Sequence, residues 1–123
     1  MPFSITKKRG VGIVSITGRF LGAPELTPFK AAIEALKDEG VTNVVIDLSK
    51  TDMMDSSAIG LTISTLTTMR NAGGDAVIAS LNQRIKNLFV MTRLLGSVFK
   101  DYESLDEAID ALEKGKDVTS PGA

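Results

Sequence analysis

The sequence predicts an α/β fold, a single domain with a mixed, mostly parallel sheet of four to five strands flanked by about four helices. Short β-branched runs alternate along the chain with segments whose apolar residues recur at helical spacing. The clearest run, Val44 to Leu48, is nearly unbroken, which is typical of a strand covered on both faces. The length of 123 residues suits one hydrophobic core.

The first two strands form a predicted hairpin around Gly10. They are the extended segments Phe3 to Arg9 and Val11 to Thr17, and a loop is predicted over Gly18 to Ala23. We expect the buried middle of the sheet to comprise Val11 to Thr17, Val44 to Leu48 and Asp75 to Ala79.

The first helix is predicted to start at Thr27-Pro28, a capping residue followed by the favoured first helical residue, and to end at Gly40. Its apolar residues recur at helical spacing and are expected to face the core. They are Leu26, Phe29, Ile33 and Leu36.

A polar loop through Met54 is predicted after Leu48, and a second helix runs from Ser56 to about Asn71. At 100° per residue this helix has two contrasting faces. The core face is predicted to contain Ala58, Ile59, Leu61, Ile63, Leu66, Met69 and Ala72, and the opposite face Ser57, Gly60, Ser64, Thr67, Thr68 and Asn71.

The last third of the chain predicts an amphipathic helix over Leu81 to Leu94 and a short strand over Val98 to Tyr102. A capping box over Ser104 to Glu107 then begins a helix through Leu112. Residues 1–114 are therefore predicted to form the domain, and 115–123 a flexible tail of small and polar residues.

Composition argues against several classes of function. The chain has no cysteine and no histidine, which removes thiol chemistry and the two best ligands of soft metals. Its formal charge of −1 offers no general attraction to nucleic acid or to an anionic membrane surface. No stretch approaches the roughly 20 apolar residues of a membrane helix. We expect a cytoplasmic protein without metal or cofactor.

Ser56 is the candidate functional residue, because it lies at the start of a helix that follows a buried strand. The free backbone amides at a helix start can bind an anion. Ser56 is interpreted as a nucleophile, a phosphate acceptor or a plain helix cap. A catalytic serine needs a base, usually histidine, and the sequence has neither histidine nor a Gly-x-Ser-x-Gly motif. A cation site built from Asp47, Asp52 and Asp55 is disfavoured, since aspartates near helix starts are commonly caps. No catalytic residue is predicted.

The polar face of the second helix is the candidate binding surface. Between Ser57 and Asn71 the only charged residue is Arg70, whereas solvated helix faces usually carry Lys and Glu. A smooth uncharged face suits a protein partner, since interface cores are depleted of charge. The alternative is a helix buried by the protein's own elements. Met53 and Met54 add apolar side chains beside Ser56, and methionine is frequent where partners bind.

Two stretches carry a family resemblance, namely Asp47-Leu48-Ser49 and the run from Met53 to Leu61, with the letters MMDSSAIGL. They resemble the signature of STAS domains, specifically the bacterial anti-sigma factor antagonists. The resemblance implies that Ser56 is phosphorylated by a partner, an anti-sigma factor serine kinase, and that a PP2C-type phosphatase reactivates the protein. The partner-binding residues are then expected to be Met53, Met54, Asp55, Ser57, Gly60 and Ser64.

The chain departs from that family at three places. Gly18-Arg19-Phe20-Leu21 stands where Gly-Glu-Leu-Asp is usual, Ala58 replaces a glycine, and Thr51 replaces an apolar residue. The alternative function is accordingly a phosphorylation-independent STAS module that acts as a scaffold or ligand sensor.

Overall fold

A computed structural model describes the backbone of residues 2–122 and the side-chain surroundings of residues 2–114. Over the described residues the chain forms a β-hairpin followed by alternating helices and strands. The elements are β1 Phe3–Lys8, β2 Val11–Phe20, α1 Gly22–Asp38, β3 Asn43–Met54, α2 Ser56–Asn71, β4 Asp75–Ala79, α3 Gln83–Met91, β5 Asp101–Tyr102 and α4 Leu105–Gly122.

The five strands lie in one sheet in the order β1-β2-β3-β4-β5, antiparallel between β1 and β2 and parallel elsewhere. The predicted fold class is therefore confirmed, as is the placement of β2, β3 and β4 in the middle of the sheet. Each parallel pair is joined through a helix, as a parallel crossover requires. Because β3 is central, its carboxyl end delivers the chain to the middle of one sheet edge, where α2 begins.

Two hydrophobic clusters cover the two faces of the sheet. On one face α1, α2 and α3 pack over alternate β3 residues such as Val44 and Ile46. On the other face α4 packs with Ala108 and Ile109 over Val45. The near-continuous apolar run of β3 follows from this arrangement, since both faces of the strand need apolar side chains.

The loop predicted between Leu48 and Met54 is wrong, because β3 continues to Met54. Its polar half pairs with β2, which itself extends past the predicted end at Thr17 to Phe20, with register shifts on either side of Gly18. Gly18 has a φ of +69°, which glycine adopts without strain. The buried Thr51 hydroxyl donates to the Ile16 carbonyl at 2.8 Å. The extension does not alternate between buried and exposed residues, since only Thr51 and Met54 are buried in it, so the period-two pattern of a strand is missing from its sequence.

Helix α1 begins at Gly22 and not at Thr27-Pro28, which places Pro28 inside the helix. Tertiary packing explains the difference. A Cβ built on Gly22 would lie 2.3 Å from the Ser57 carbonyl carbon and 2.4 Å from the Ala58 nitrogen, so the first turn of α1 touches the first turn of α2. A capping pattern at Thr27 carries no information about that contact.

Helix α3 and strand β5 are both shorter than predicted. Helix α3 covers Gln83–Met91 because Asn82 caps it by accepting from the Ile85 amide at 2.9 Å, and Arg93 follows it with a left-handed φ of 59°. Strand β5 is shorter than predicted, with only Asp101–Tyr102 paired to β4. The predicted Ser104 cap is confirmed by a 3.2 Å bond from the Glu107 amide to its hydroxyl.

Helix α4 continues to Gly122, past the predicted end at Leu112. The division of the chain into a domain over 1–114 and a flexible tail over 115–123 stays a prediction. The side-chain contacts that bear on it lie outside the described residues.

Replacing Gly22 by alanine is expected to destabilise the fold by about 1–3 kcal/mol, since a methyl group there overlaps backbone atoms of α2. Gly60→Ala is the matched control. A Cβ on Gly60 meets nothing within 4 Å, and alanine favours the helix by about 0.5–1 kcal/mol. Urea unfolding of both variants tests the pair, and equal destabilisation would contradict the packing contact.

Candidate functional site

Ser56 is the first residue of α2 and is exposed at the carboxyl edge of the central strand. This is the edge at which open α/β sheets place their sites. The residue before it, Asp55, is the helix cap, so the interpretation of Ser56 as a plain cap is wrong. Since Asp55 performs the capping, the Ser56 hydroxyl is not required for starting the helix.

One carboxylate oxygen organises the start of both helices. Oδ1 of Asp55 accepts a hydrogen bond from the Ala58 amide at 2.8 Å, which caps α2. The same oxygen accepts from the Gly22 amide at 3.0 Å, which holds the first residue of α1. The two Asp55 hydrogen bonds and the close approach at Gly22, which has no side chain, set the relative position of the two helix starts. Ser56 and Ser57 lie at this junction.

The pKa of Asp55 is lowered by these contacts, first by the Gly22 amide and then by the Ala58 amide, against a smaller opposing effect of burial. Hydrogen bonds donated to the charged form favour ionisation. Asp55 therefore carries its negative charge next to Ser56 throughout the neutral range.

The predicted partner-binding residues divide by exposure. Ser57 and Gly60 are exposed, while Asp55 and Ser64 are half-buried. Met53 is 41% exposed, so its thioether is available to a partner. Met54 is 6% exposed and packs in the core under α2, which gives it a supporting role.

The outward face of α2 is open, which argues against the alternative that the protein's own elements bury it. Gly60, Thr67 and Asn71 are exposed and Ser64 and Thr68 half-buried. The predicted core face needs two additions, because Thr62 and Thr65 are buried with their hydroxyls donating to the Ile59 and Leu61 carbonyls at 2.6 and 2.9 Å. It also loses Ala72, which is exposed. A threonine that satisfies its hydroxyl on its own helix reads as polar in a sequence but packs as an apolar residue.

One apolar residue of α1 is exposed where the sequence predicts it to be buried. Leu26 of α1 was predicted to face inward, but it is 46% exposed. It lies about one turn beyond Gly22, on the stripe that leads to the buried Phe29. Its exposure therefore shows that the described elements leave this part of the stripe uncovered.

The part of the chain that the structure describes contains no candidate metal site. Among the described side chains of residues 2–114, no three acidic residues form a group that could hold a cation. Asp47 instead accepts from the Ser49 amide at 3.0 Å, and Asp55 is engaged with two amides. The helices described are also too short or too polar to cross a membrane.

The family model for the STAS domain matches residues 2–108. The chain belongs to the STAS domain family. This match confirms the resemblance seen in the residues around Ser56, and it covers every described strand.

Relatives of the chain are named as anti-sigma factor antagonists. A TM1081 homolog of that description from Thermotoga neapolitana is 23% identical over 84 residues, which is 68% of this chain and 74% of that one. The crystal structure of TM1081 from Thermotoga maritima superposes with a TM-score of 0.80 at 19% identity, over 90% of this chain and 94% of that one. The Bacillus protein SpoIIAA, in its phosphorylated form, superposes with a TM-score of 0.69 at 20% identity, over 89% and 97%. At these identities the structural likeness shows the fold.

Removing the Asp55 carboxylate is expected to loosen both helix starts. Asp55→Ala loses the bonds to Gly22 and Ala58 and should melt several degrees lower, whereas Asp55→Asn keeps an acceptor oxygen and should lose less. Because the folded pKa lies below the unfolded value, the contribution of the charge is present above about pH 4 and fades as the pH falls through the folded pKa.

The measurement is thermal melting of the wild type and both variants from pH 7 to pH 2.5. The gap between wild type and Asp55→Asn should close towards the acid end. A gap that stays constant with pH would show that the carboxylate charge has no role in holding the helix starts.

Proposed function

We propose that the chain is an anti-sigma factor antagonist whose binding is switched by phosphorylation of Ser56. The observation that carries the proposal is an exposed serine hydroxyl, free of the capping role, at the start of α2 and at the rim of an open, uncharged helix face. The family of the chain and the names of its relatives support the general class. SpoIIAA of the same fold has been solved in unphosphorylated and phosphorylated forms.

The partner is an anti-sigma factor, and in the finer form of the proposal it is a serine kinase. That kinase binds ATP and Mg²⁺ and transfers the γ-phosphoryl group of ATP to the Ser56 hydroxyl oxygen, which loses its proton, while ADP leaves. A PP2C-type phosphatase hydrolyses the ester and restores the binding form. The chain itself contributes no catalytic residue, so we expect the purified protein to turn over neither esters nor nucleotides.

A phosphate on Ser56 is expected to leave the fold intact, because of where this residue lies. A phosphate carries about −1.5 to −2 charge at neutral pH, and a helix start offers free amides and the positive end of the helix dipole. The oxygen that holds the two helices together belongs to Asp55 and not to Ser56. The modified domain therefore stays folded.

Binding is affected because the new charge stands among residues that the partner must cover. The charge would lie next to the ionised Asp55. The exposed Met53 precedes Ser56 in the chain, and the exposed Ser57 and Gly60 follow it on α2. An interfacial charge left buried without a partner costs about 2 to 5 kcal/mol, which is roughly a thirtyfold to several-thousandfold loss of affinity. The unmodified protein thus binds the anti-sigma factor and frees a sigma factor, and the phosphorylated protein releases it.

The second candidate function is a phosphorylation-independent STAS module, a scaffold or ligand sensor. It is favoured by Arg19, which stands where antagonists usually carry an acidic residue and which is the register partner of Met53 at the site. Under this function the same α2 face binds a partner, but the state of Ser56 is without effect.

Substituting Ser56 tests the two functions against each other. Ser56→Ala should bind the anti-sigma factor like the wild type, and Ser56→Asp should bind at least about thirtyfold more weakly, with melting temperatures within a few degrees of the wild type. Ser4→Asp is the charge-matched control, because Ser4 is exposed on the outer strand β1.

Isothermal titration calorimetry with the purified anti-sigma factor measures all four proteins. Equal affinities of Ser56→Ala and Ser56→Asp would overturn the switch in favour of the scaffold. Loss of folding in Ser56→Asp would overturn the claim that the charge acts on the interface.

A further inference from the structure

A groove of about 380 Å³ lies between the end of β3 and helix α3. Met53 contributes its wall on the β3 side, and Leu88 and Met91 contribute the wall on α3. Met91 is 81% exposed and Met53 is 41% exposed. Two thioethers, flexible and polarisable, thus stand free at a concave apolar surface, which is where methionine adapts to a partner's side chains. Met53, which lines the groove, lies three residues before Ser56 in the sequence.

On the α3 side of the groove the charged residue is basic. Residues 81–93, which include α3, contain three basic and no acidic residues, although the whole chain has 14 basic and 15 acidic ones. Arg84 lines the groove and Arg19 is the register partner of Met53 on the neighbouring strand. The acidic residue of the lining is Asp52. A cationic flank beside an apolar groove complements a segment that carries apolar and acidic side chains.

We propose that this groove receives an apolar, acid-flanked segment of the anti-sigma factor, and that it supplies affinity independent of Ser56. The inference rests on the proposed function for the identity of the partner, and it adds a second contact region and its chemistry. The occupant is a protein segment, since a side chain fits into a concave groove whereas a flat lipid surface spans it. Met53 belongs to both contact regions, so the footprint is continuous from α2 to α3.

Methionine methyl groups report this footprint directly. In protein labelled with ¹³C at the methionine methyls, the anti-sigma factor should shift the signals of Met53 and Met91. Met69, a fully buried residue of α2, is the internal reference, and its signal should not shift. Anionic phosphatidylserine vesicles form the comparison arm and should leave Met91 unchanged.

Two matched pairs of variants measure the energetic contribution. Met91→Asp should weaken binding by about tenfold or more, while Val90→Asp should not, because Val90 is 56% exposed on α3 but does not line the groove. Arg84→Glu should likewise weaken binding by about tenfold. Lys100→Glu, at the opposite end of the sheet beside Asn43 and Gly74, should not.

The outcomes separate this inference from the switch. If Ser56→Asp weakens binding but Met91→Asp and Arg84→Glu match their controls, the groove is not part of the interface and the inference is overturned. If Met91→Asp and Arg84→Glu weaken binding but Ser56→Asp does not, the groove stands and the phosphorylation switch fails. A Met91 signal that moves with vesicles and not with the anti-sigma factor would assign the groove to a lipid surface and also overturn the inference.

Discussion

The hydrogen bonds of the Asp55 carboxylate determine the geometry on which the rest of the site depends. One oxygen receives the amide of Ala58 at 2.8 Å and that of Gly22 at 3.0 Å, so it joins the starts of α2 and α1. The contact is possible because Gly22 has no side chain to hold the helices apart. With the cap assigned to Asp55, the serine that follows it has an exposed hydroxyl with no structural duty. A modification there is therefore expected to change the surface and to leave the start of the helix in place.

The placement of β2, β3 and β4 in the middle of the sheet could be predicted from the sequence, because burial on both faces gives a strand such as Val44 to Leu48 a nearly unbroken apolar run. The location of Ser56 followed from the same run and the helical pattern beyond it. The extension of β3 to Met54 and the start of α1 at Gly22 could not be predicted, because both depend on contacts between segments distant in sequence. The same limit applies to the exposure of Leu26 and Met91, since periodicity shows which residues share a face and not whether a neighbour covers that face.

The surface divides into regions of different chemistry. The α2 face is neutral and rich in small hydroxyl residues, the α3 flank is basic, and Met53 lies between them. This division allows a partner to bind through a permanent apolar and electrostatic contact on α3 while the α2 face responds to a covalent charge. Arg19, the register partner of Met53, brings a further positive charge to this edge.

The central claim is that a charge on Ser56 acts on the interface and leaves the fold intact. The most direct measurement uses protein carrying genuine phosphoserine at position 56, prepared to full stoichiometry, and compares its urea unfolding and its affinity for the anti-sigma factor with those of the unmodified protein. The account predicts an unfolding free energy within about 1 kcal/mol of the unmodified value and an affinity at least about thirtyfold lower. An unchanged affinity, or a large loss of unfolding free energy, would contradict it.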